Sequence, residues 1–185
     1  MKNIFLDFGT HKGEGLLEFF QKGTIDNSFE VHTFEPTPGL GTEYDIEGLK
    51  KIEGFPQDIH FYNKAIWIKD GMIAFNNRMD QASHIEGIDF SYFQESDDFN
   101  SIMVECIDIS KFIESLPDSN IICKMDIEGS EFRILRYLIY TGVIKRINKL
   151  FVEFHPKFVS SESDFTLNFL INSIKKLGIE LVLWH

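Results

Sequence analysis

Ile4-Phe5-Leu6-Asp7-Phe8-Gly9-Thr10-His11-Lys12-Gly13-Glu14-Gly15 is the stretch that decides the fold. Asn3 to Phe8 is a short apolar run that reads as a strand, and it stops at Gly9. The next segment, Glu14 to Lys22, carries Leu16, Leu17, Phe19 and Phe20 as one amphipathic helix face and closes at Gly23. Strand, glycine turn and helix in that order form a turn whose backbone a ligand can approach closely. The helix start adds free N–H groups. In an open α/β sheet such turns lie at the carboxyl ends of the strands, where ligands bind. The spacing Gly9-x-x-x-Gly13 departs from the dinucleotide fingerprint, and the longer turn suits an amino-acid moiety better than a pyrophosphate.

Outward from this turn the alternation continues. Phe29 to Phe34 reads as a strand ended by Pro36 and Pro38, Glu43 to Ile52 as a loose helix, and His60 to Ile68 as a third strand. Further strands are expected at Ile102 to Ile107, Ile121 to Met125, Leu150 to Phe154 and Ile179 to Trp184. Helices are expected at Ile109 to Leu116, Glu128 to Tyr140 and Asp164 to Leu177. This order predicts an α/β fold with a mostly parallel, doubly wound sheet and helices on both faces. Residues 70–101 break the pattern. Gly71 suggests a hairpin, and Met79 to Ser110 holds eight acids without Lys or Arg. We read an irregular acidic insertion over the sheet edge, either a lid or a solvated loop. Without repeats or linkers, the expectation is a single domain over 1–185.

The 185 residues, 43% of them hydrophobic, suit one sizeable core. A net charge of −11 disfavours nucleic acid and anionic membranes as partners, because Lys and Arg are spread out rather than clustered. No apolar run reaches membrane-span length, and the first residues lack a signal-peptide core, so the expected location is cytoplasmic. Cys106 and Cys123 sit in apolar contexts and read as buried thiols.

Three further segments carry chemistry. Glu35 ends the second strand, 26 residues after Gly9, where a carboxylate can accept from both hydroxyls of an unphosphorylated ribose diol. Cys123-Lys124-Met125-Asp126-Ile127-Glu128-Gly129-Ser130-Glu131 is a strand-to-helix junction rich in acids. Glu128 and Glu131 are expected in the first helical turn, where the macrodipole favours them, and Asp126 at the cleft end of its strand. In Phe151-Val152-Glu153-Phe154-His155, Glu153 and His155 are two apart, which points both to one face of an extended chain.

Together these segments resemble the FkbM-type methyltransferases. The matching stretches are Leu6 to Gly13, Phe34-Glu35-Pro36, Asn63-Lys64-Ala65-Ile66, Lys124 to Glu131 and Val152 to His155, spread over residues 3–184. The resemblance implies a Rossmann-like class I methyltransferase fold with S-adenosylmethionine as cofactor. Its last antiparallel strand is expected to be missing or replaced by the hairpin near Gly71. Carried over by position, Asp7, Gly9 and Gly13 would line the methionine and ribose parts of the donor, Glu35 would take the ribose hydroxyls, and Ala65 would lie near the adenine. Thr10, His11 and Pro36 complete the expected cofactor set. Asp126 would sit near the sulfonium, and Glu128 and Glu153 would face the acceptor. Asp126, Glu128, Glu153 and His155 form the expected catalytic set, with the base left open among Glu153, His155 and Asp126. Thr10 and His11 depart from the family, which has a small residue and then Asn at these positions.

The expected reaction is O-methylation of a small-molecule or carbohydrate hydroxyl. The alternatives are a catalytically inactive S-adenosylmethionine-binding regulatory or scaffold protein, and a nicotinamide oxidoreductase. No metal is expected. A divalent ion held by Asp126, Glu153 and His155 to orient a diol acceptor is the rival arrangement. A homodimer is a further expectation.

Overall fold

A computed structural model describes residues 1–40, 43–76, 84–85, 101–155 and 164–184. The expected opening is present: β1 (Lys2–Phe8), α1 (Glu14–Gln21), β2 (Phe29–Phe34), α2 (Glu43–Leu49) and β3 (Asp58–Tyr62). The second half supplies α3 (Ile109–Ser115), β8 (Ser119–Met125), α4 (Glu131–Thr141), β9 (Ile147–Val152), α5 (Asp164–Lys176) and β10 (Glu180–Leu183). Between the halves run β4 (Ala65–Trp67), β5 (Gly71–Asn76), β6 (His84–Ile85) and β7 (Ser101–Asp108).

Six strands form one sheet in the order β10-β9-β8-β1-β2-β3, and every pairing in it is parallel. Among the described residues no antiparallel strand joins it. The chain steps outward from β1 to β3, returns to β8 beside β1, then steps outward the other way. This reversal opens a crevice at the strand ends. Side chains of β1 alternate as a strand covered on both faces requires. Ile4, Leu6 and Phe8 join the core that includes Ile109 and Ile113 of α3, Phe132 and Leu135 of α4, and Leu170 and Ile174 of α5. Phe5 points the other way, into a cluster with Leu16 and Phe19 of α1 and Ile46 of α2. Each buried aromatic or aliphatic side chain contributes about 1.5–3 kcal/mol.

Two expectations are corrected. The run from His60 to Ile68 is not one strand: β3 ends at Tyr62, and β4 leaves for a second sheet ordered β4-β7-β5-β6. The break falls at Asn63, whose side-chain Nδ2 donates to Glu35 O at 2.8 Å instead of continuing the ladder. The helix expected from Glu128 begins only at Glu131, because Glu128 (φ 52°) and Gly129 (φ 96°) are left-handed and cannot propagate an α-helix. In the acidic stretch, the turn at Gly71 (φ 136°) opens regular β5, antiparallel to β7. Apart from β6, which pairs antiparallel with β5, residues 77–100 and with them the lid reading lie outside the described residues. Both cysteines are free and buried. Among the described residues no helix is long and apolar enough to cross a membrane.

Candidate active site

The turn after β1 is stitched to both neighbouring strand ends. Gly9 N and Thr10 N donate to Phe34 O at 3.0 and 3.1 Å, and Asp126 N donates to Phe8 O at 3.1 Å. Gly9 has φ 82°, and a Cβ there would lie 1.9 Å from Asp126 O, so no other residue fits. His11 has φ 51°, a region where Asn, Asp and His are the tolerated side chains. The departure from Asn at this position therefore keeps the backbone shape. Thr10 Oγ1 donates to Asp7 Oδ2 at 2.5 Å.

Glu35 forms the next wall. His11 N donates to its Oε2 at 2.9 Å and Thr37 N to its Oε1 at 2.8 Å, so two main-chain amides fix the carboxylate. One lone-pair direction on each oxygen is left over, because an ionised carboxyl offers about four acceptor sites. Behind it, Phe34 stacks on Tyr62 with ring centroids 4.6 Å apart at 9°. Phe34, Pro36, Ala65 and Ile66 give the cavity an apolar side.

On the opposite side Lys124 is buried at the end of β8. Its Nζ donates to Gly9 O at 2.5 Å and lies 3.3 Å from Asp7 Oδ1 and 3.4 Å from Asp126 Oδ2. Three acceptors match the three N–H bonds of an ammonium. Burial works to discharge Lys124, but Asp7 and Asp126 outweigh it, and its pKa lies above the ordinary lysine value.

Beyond Asp126 the left-handed backbone at Glu128 turns that side chain to the cleft, where it meets His155. The Nε2 of His155 lies 3.8 Å from Asp126 Oδ1, 3.7 Å from Glu128 Oε2 and 3.6 Å from Glu153 Oε1. Its Nδ1 is 3.0 Å from Glu131 Oε1. Glu131 is fully buried and also accepts from Ile127 N and Gly129 N, both at 2.9 Å, so it fixes the turn and the imidazole together. Burial alone would lower the His155 pKa. The Glu131 hydrogen bond and the charges of Glu131, Glu128 and Asp126 prevail, and it rises to about 9. Asp126, Glu128 and His155 offer donor atoms within 4.8 Å of one another, a spacing a divalent ion could use. At neutral pH the imidazolium itself supplies a positive charge there.

These elements enclose a cavity of about 350 Å³ at the carboxyl ends of the strands. That lies within the ~300–1,000 Å³ of small-molecule sites. Of the residues expected from sequence, Gly9, Thr10, His11, Glu35, Pro36 and Ala65 line one part of it. Asp126, Glu128, Glu153 and His155 line another. Asp7 and Gly13 are not on its wall. Asp7 is completely buried beneath the turn, and Gly13 (φ 89°) caps α1 against Leu49. Sequence reasoning gave no role to Lys124 or Trp184, and gave Glu131 only its place in the first helical turn, which the structure bears out. A lysine inside the apolar strand Ile121 to Met125 was the available signal, since a buried charge needs partners. Trp184, following β10, lines the cavity with its ring centroid 5.2 Å from Lys124 Nζ.

A family model described as "Methyltransferase FkbM domain" matches residues 7–180, nearly the whole chain. No curated protein and no solved structure matches it.

Proposed function

The chain belongs to the FkbM methyltransferase family, and from that premise we propose that it binds S-adenosylmethionine and methylates a hydroxyl of a small-molecule or carbohydrate acceptor. The observation that carries the donor reading is the Glu35 carboxylate, held by His11 N and Thr37 N with an acceptor direction left on each oxygen. Two vicinal ribose hydroxyls need that pair of acceptors. The apolar side at Phe34, Pro36 and Ala65 suits a nucleobase, and the Asp126 carboxylate suits a cation. When bound, the donor supplies a methyl group already activated on a positively charged sulfur.

The chain's own task is then to align the acceptor, exclude water and take one proton. Among the three candidate bases we assign that role to His155. Glu131 holds Nδ1–H and leaves Nε2 toward the cleft, so Nε2 takes the hydroxyl proton while the Nδ1 proton stays in place. Asp126, Glu128 and Glu153 stabilise the imidazolium that forms. Raising the pKa makes Nε2 a stronger base but a rarer one at neutral pH. The neutral form gains population as pH rises toward 9. Titrating the His155 imidazole by NMR should give a midpoint near pH 9. In Glu131→Gln the midpoint should fall toward the ordinary histidine range. An unchanged midpoint in that variant would remove Glu131 from the assignment.

Calorimetric titration with S-adenosylmethionine and S-adenosylhomocysteine, with NAD as the control, tests the donor. The wild type should bind both sulfur ligands, and Glu35→Ala should weaken them at least ~10-fold, about 1.4 kcal/mol for hydrogen bonds to a charged group. Failure of the folded wild type to bind either one would end this reading.

A further inference from the structure

Strands β2 and β3 carry the same short pattern in register. Glu30-Val31-His32 runs beside Asp58-Ile59-His60, with Glu30 opposite Asp58 and His32 opposite His60. Because strand side chains alternate with a period of two, all four polar groups share one face. It is the face of Phe34 and Phe112, with the Phe112 ring centroid 5.3 Å from that of His32. Glu30 precedes Glu35 by five positions, roughly 16 Å along a strand, so the group is separate from the cleft.

The donor atoms of Glu30, His32 and His60 converge within 4.8 Å of one another. Glu30 Oε1 lies 3.1 Å from His32 Nε2 and 3.3 Å from His60 Nε2, and Asp58 Oδ1 lies 3.1 Å from His60 Nε2. The two imidazoles stack with centroids 4.8 Å apart and planes at 15°. Nε2 of His32 is buried and faces Glu30 Oε1, while its Nδ1 lies 3.1 Å from the Tyr62 hydroxyl. The Nε2 sits on a side chain only 6% exposed and is aimed at a carboxylate oxygen, an arrangement that a cation between the two would also satisfy. Lys2 engages the outer oxygens, pairing with Glu30 Oε2 and lying 3.9 Å from Asp58 Oδ2, and so leaves the inner ones to face the rings.

We propose that Glu30, His32 and His60 form a divalent transition-metal site that clamps the edge strand β3 to β2, with Asp58 positioning the His60 ring. Ligands about 2.0 Å from a tetrahedral zinc ion stand roughly 3.3 Å from each other. The nearest donor separations here match that edge. Two imidazoles and one carboxylate suit zinc or a neighbouring first-row ion, with a fourth position left for water, whereas magnesium and calcium take oxygen ligands. The Tyr62 hydroxyl beside His32 Nδ1 supplies the outer-shell contact such a ligand uses to fix its ring. Tyr62 also stacks on Phe34, so a bound ion would stiffen the apolar wall of the cleft from behind.

The test uses the full chain, stripped with a chelator, dialysed and then titrated with Zn²⁺, with Co²⁺ as a spectroscopic probe. The wild type should take up at least one equivalent, show the visible absorption of low-coordinate cobalt, and melt at a higher temperature with metal than without. His60→Ala, which alters a half-exposed side chain and should fold, should abolish that equivalent. His155→Gln should retain it. Absence of stoichiometric uptake would overturn the site, as would uptake lost in His155→Gln and kept in His60→Ala.

Discussion

Gly9→Ala should unfold or severely destabilise the protein and abolish donor binding. A left-handed conformation alone costs a non-glycine residue about 1–2 kcal/mol. Here the new methyl would also lie 1.9 Å from Asp126 O and 3.0 Å from its carbonyl carbon. Neither backbone can yield cheaply, because Asp126 N is bonded to Phe8 O and Gly9 N to Phe34 O. Together these effects should exceed ~3 kcal/mol, in the range reserved for severe strain. At this size that corresponds to a fall in melting temperature of at least roughly 6–12 °C. Gly23→Ala is the control. It also has positive φ (69°) but meets nothing within 4 Å, so only the conformational cost applies. Thermal melts of the two variants give the comparison. Equal losses would mean that the close approach of the β1 turn to Asp126 does not matter.

Lys124→Met should be the most damaging single loss of charge. It keeps an apolar stem of similar length but leaves Asp7, with no solvent exposure, facing the vacated ammonium position. Removing one partner of a buried ion pair costs about 3–5 kcal/mol. It also frees Gly9 O from its 2.5 Å donor, so the turn should loosen and donor affinity should fall. The diagnostic is a double-mutant cycle. Asp7→Asn keeps an acceptor for Thr10 Oγ1 and removes the stranded charge, so the double variant should be more stable than Lys124→Met alone. Denaturant melts of the four proteins would show it. Additive losses would mean that Asp7 and Lys124 act independently.

Much of this site is written in local chemistry. Gly9, Glu35 and Asp126 each follow an apolar run that stops abruptly, and strand ends in a parallel sheet converge on one crevice. What escaped the sequence depends on three-dimensional choices. A period of two shows that Ala65 to Trp67 is extended, but not that Asn63 turns it into a second sheet. Helical spacing from Glu128 onward conceals a left-handed residue, because nothing local marks a glutamate that will adopt φ 52°. The family resemblance implied that Asp7 lines the donor pocket. The alternation of β1 instead buries it, and only Lys124, more than a hundred residues later, explains how a charge survives there. His155 and Glu131 belong to segments whose proximity no spacing rule predicts.

The central place of β1 has a consequence for how the chain is made. Asn3 pairs with Phe29 on one side, but with Asn120 on the other, 117 residues further along. At about 5–20 residues per second on the ribosome, β8 emerges roughly 6–25 s after β1. Until then the nascent half presents an open strand edge, a template for pairing with other chains. During that interval Asp7 has no Lys124 to meet, and an uncompensated charge on such an edge discourages foreign strands.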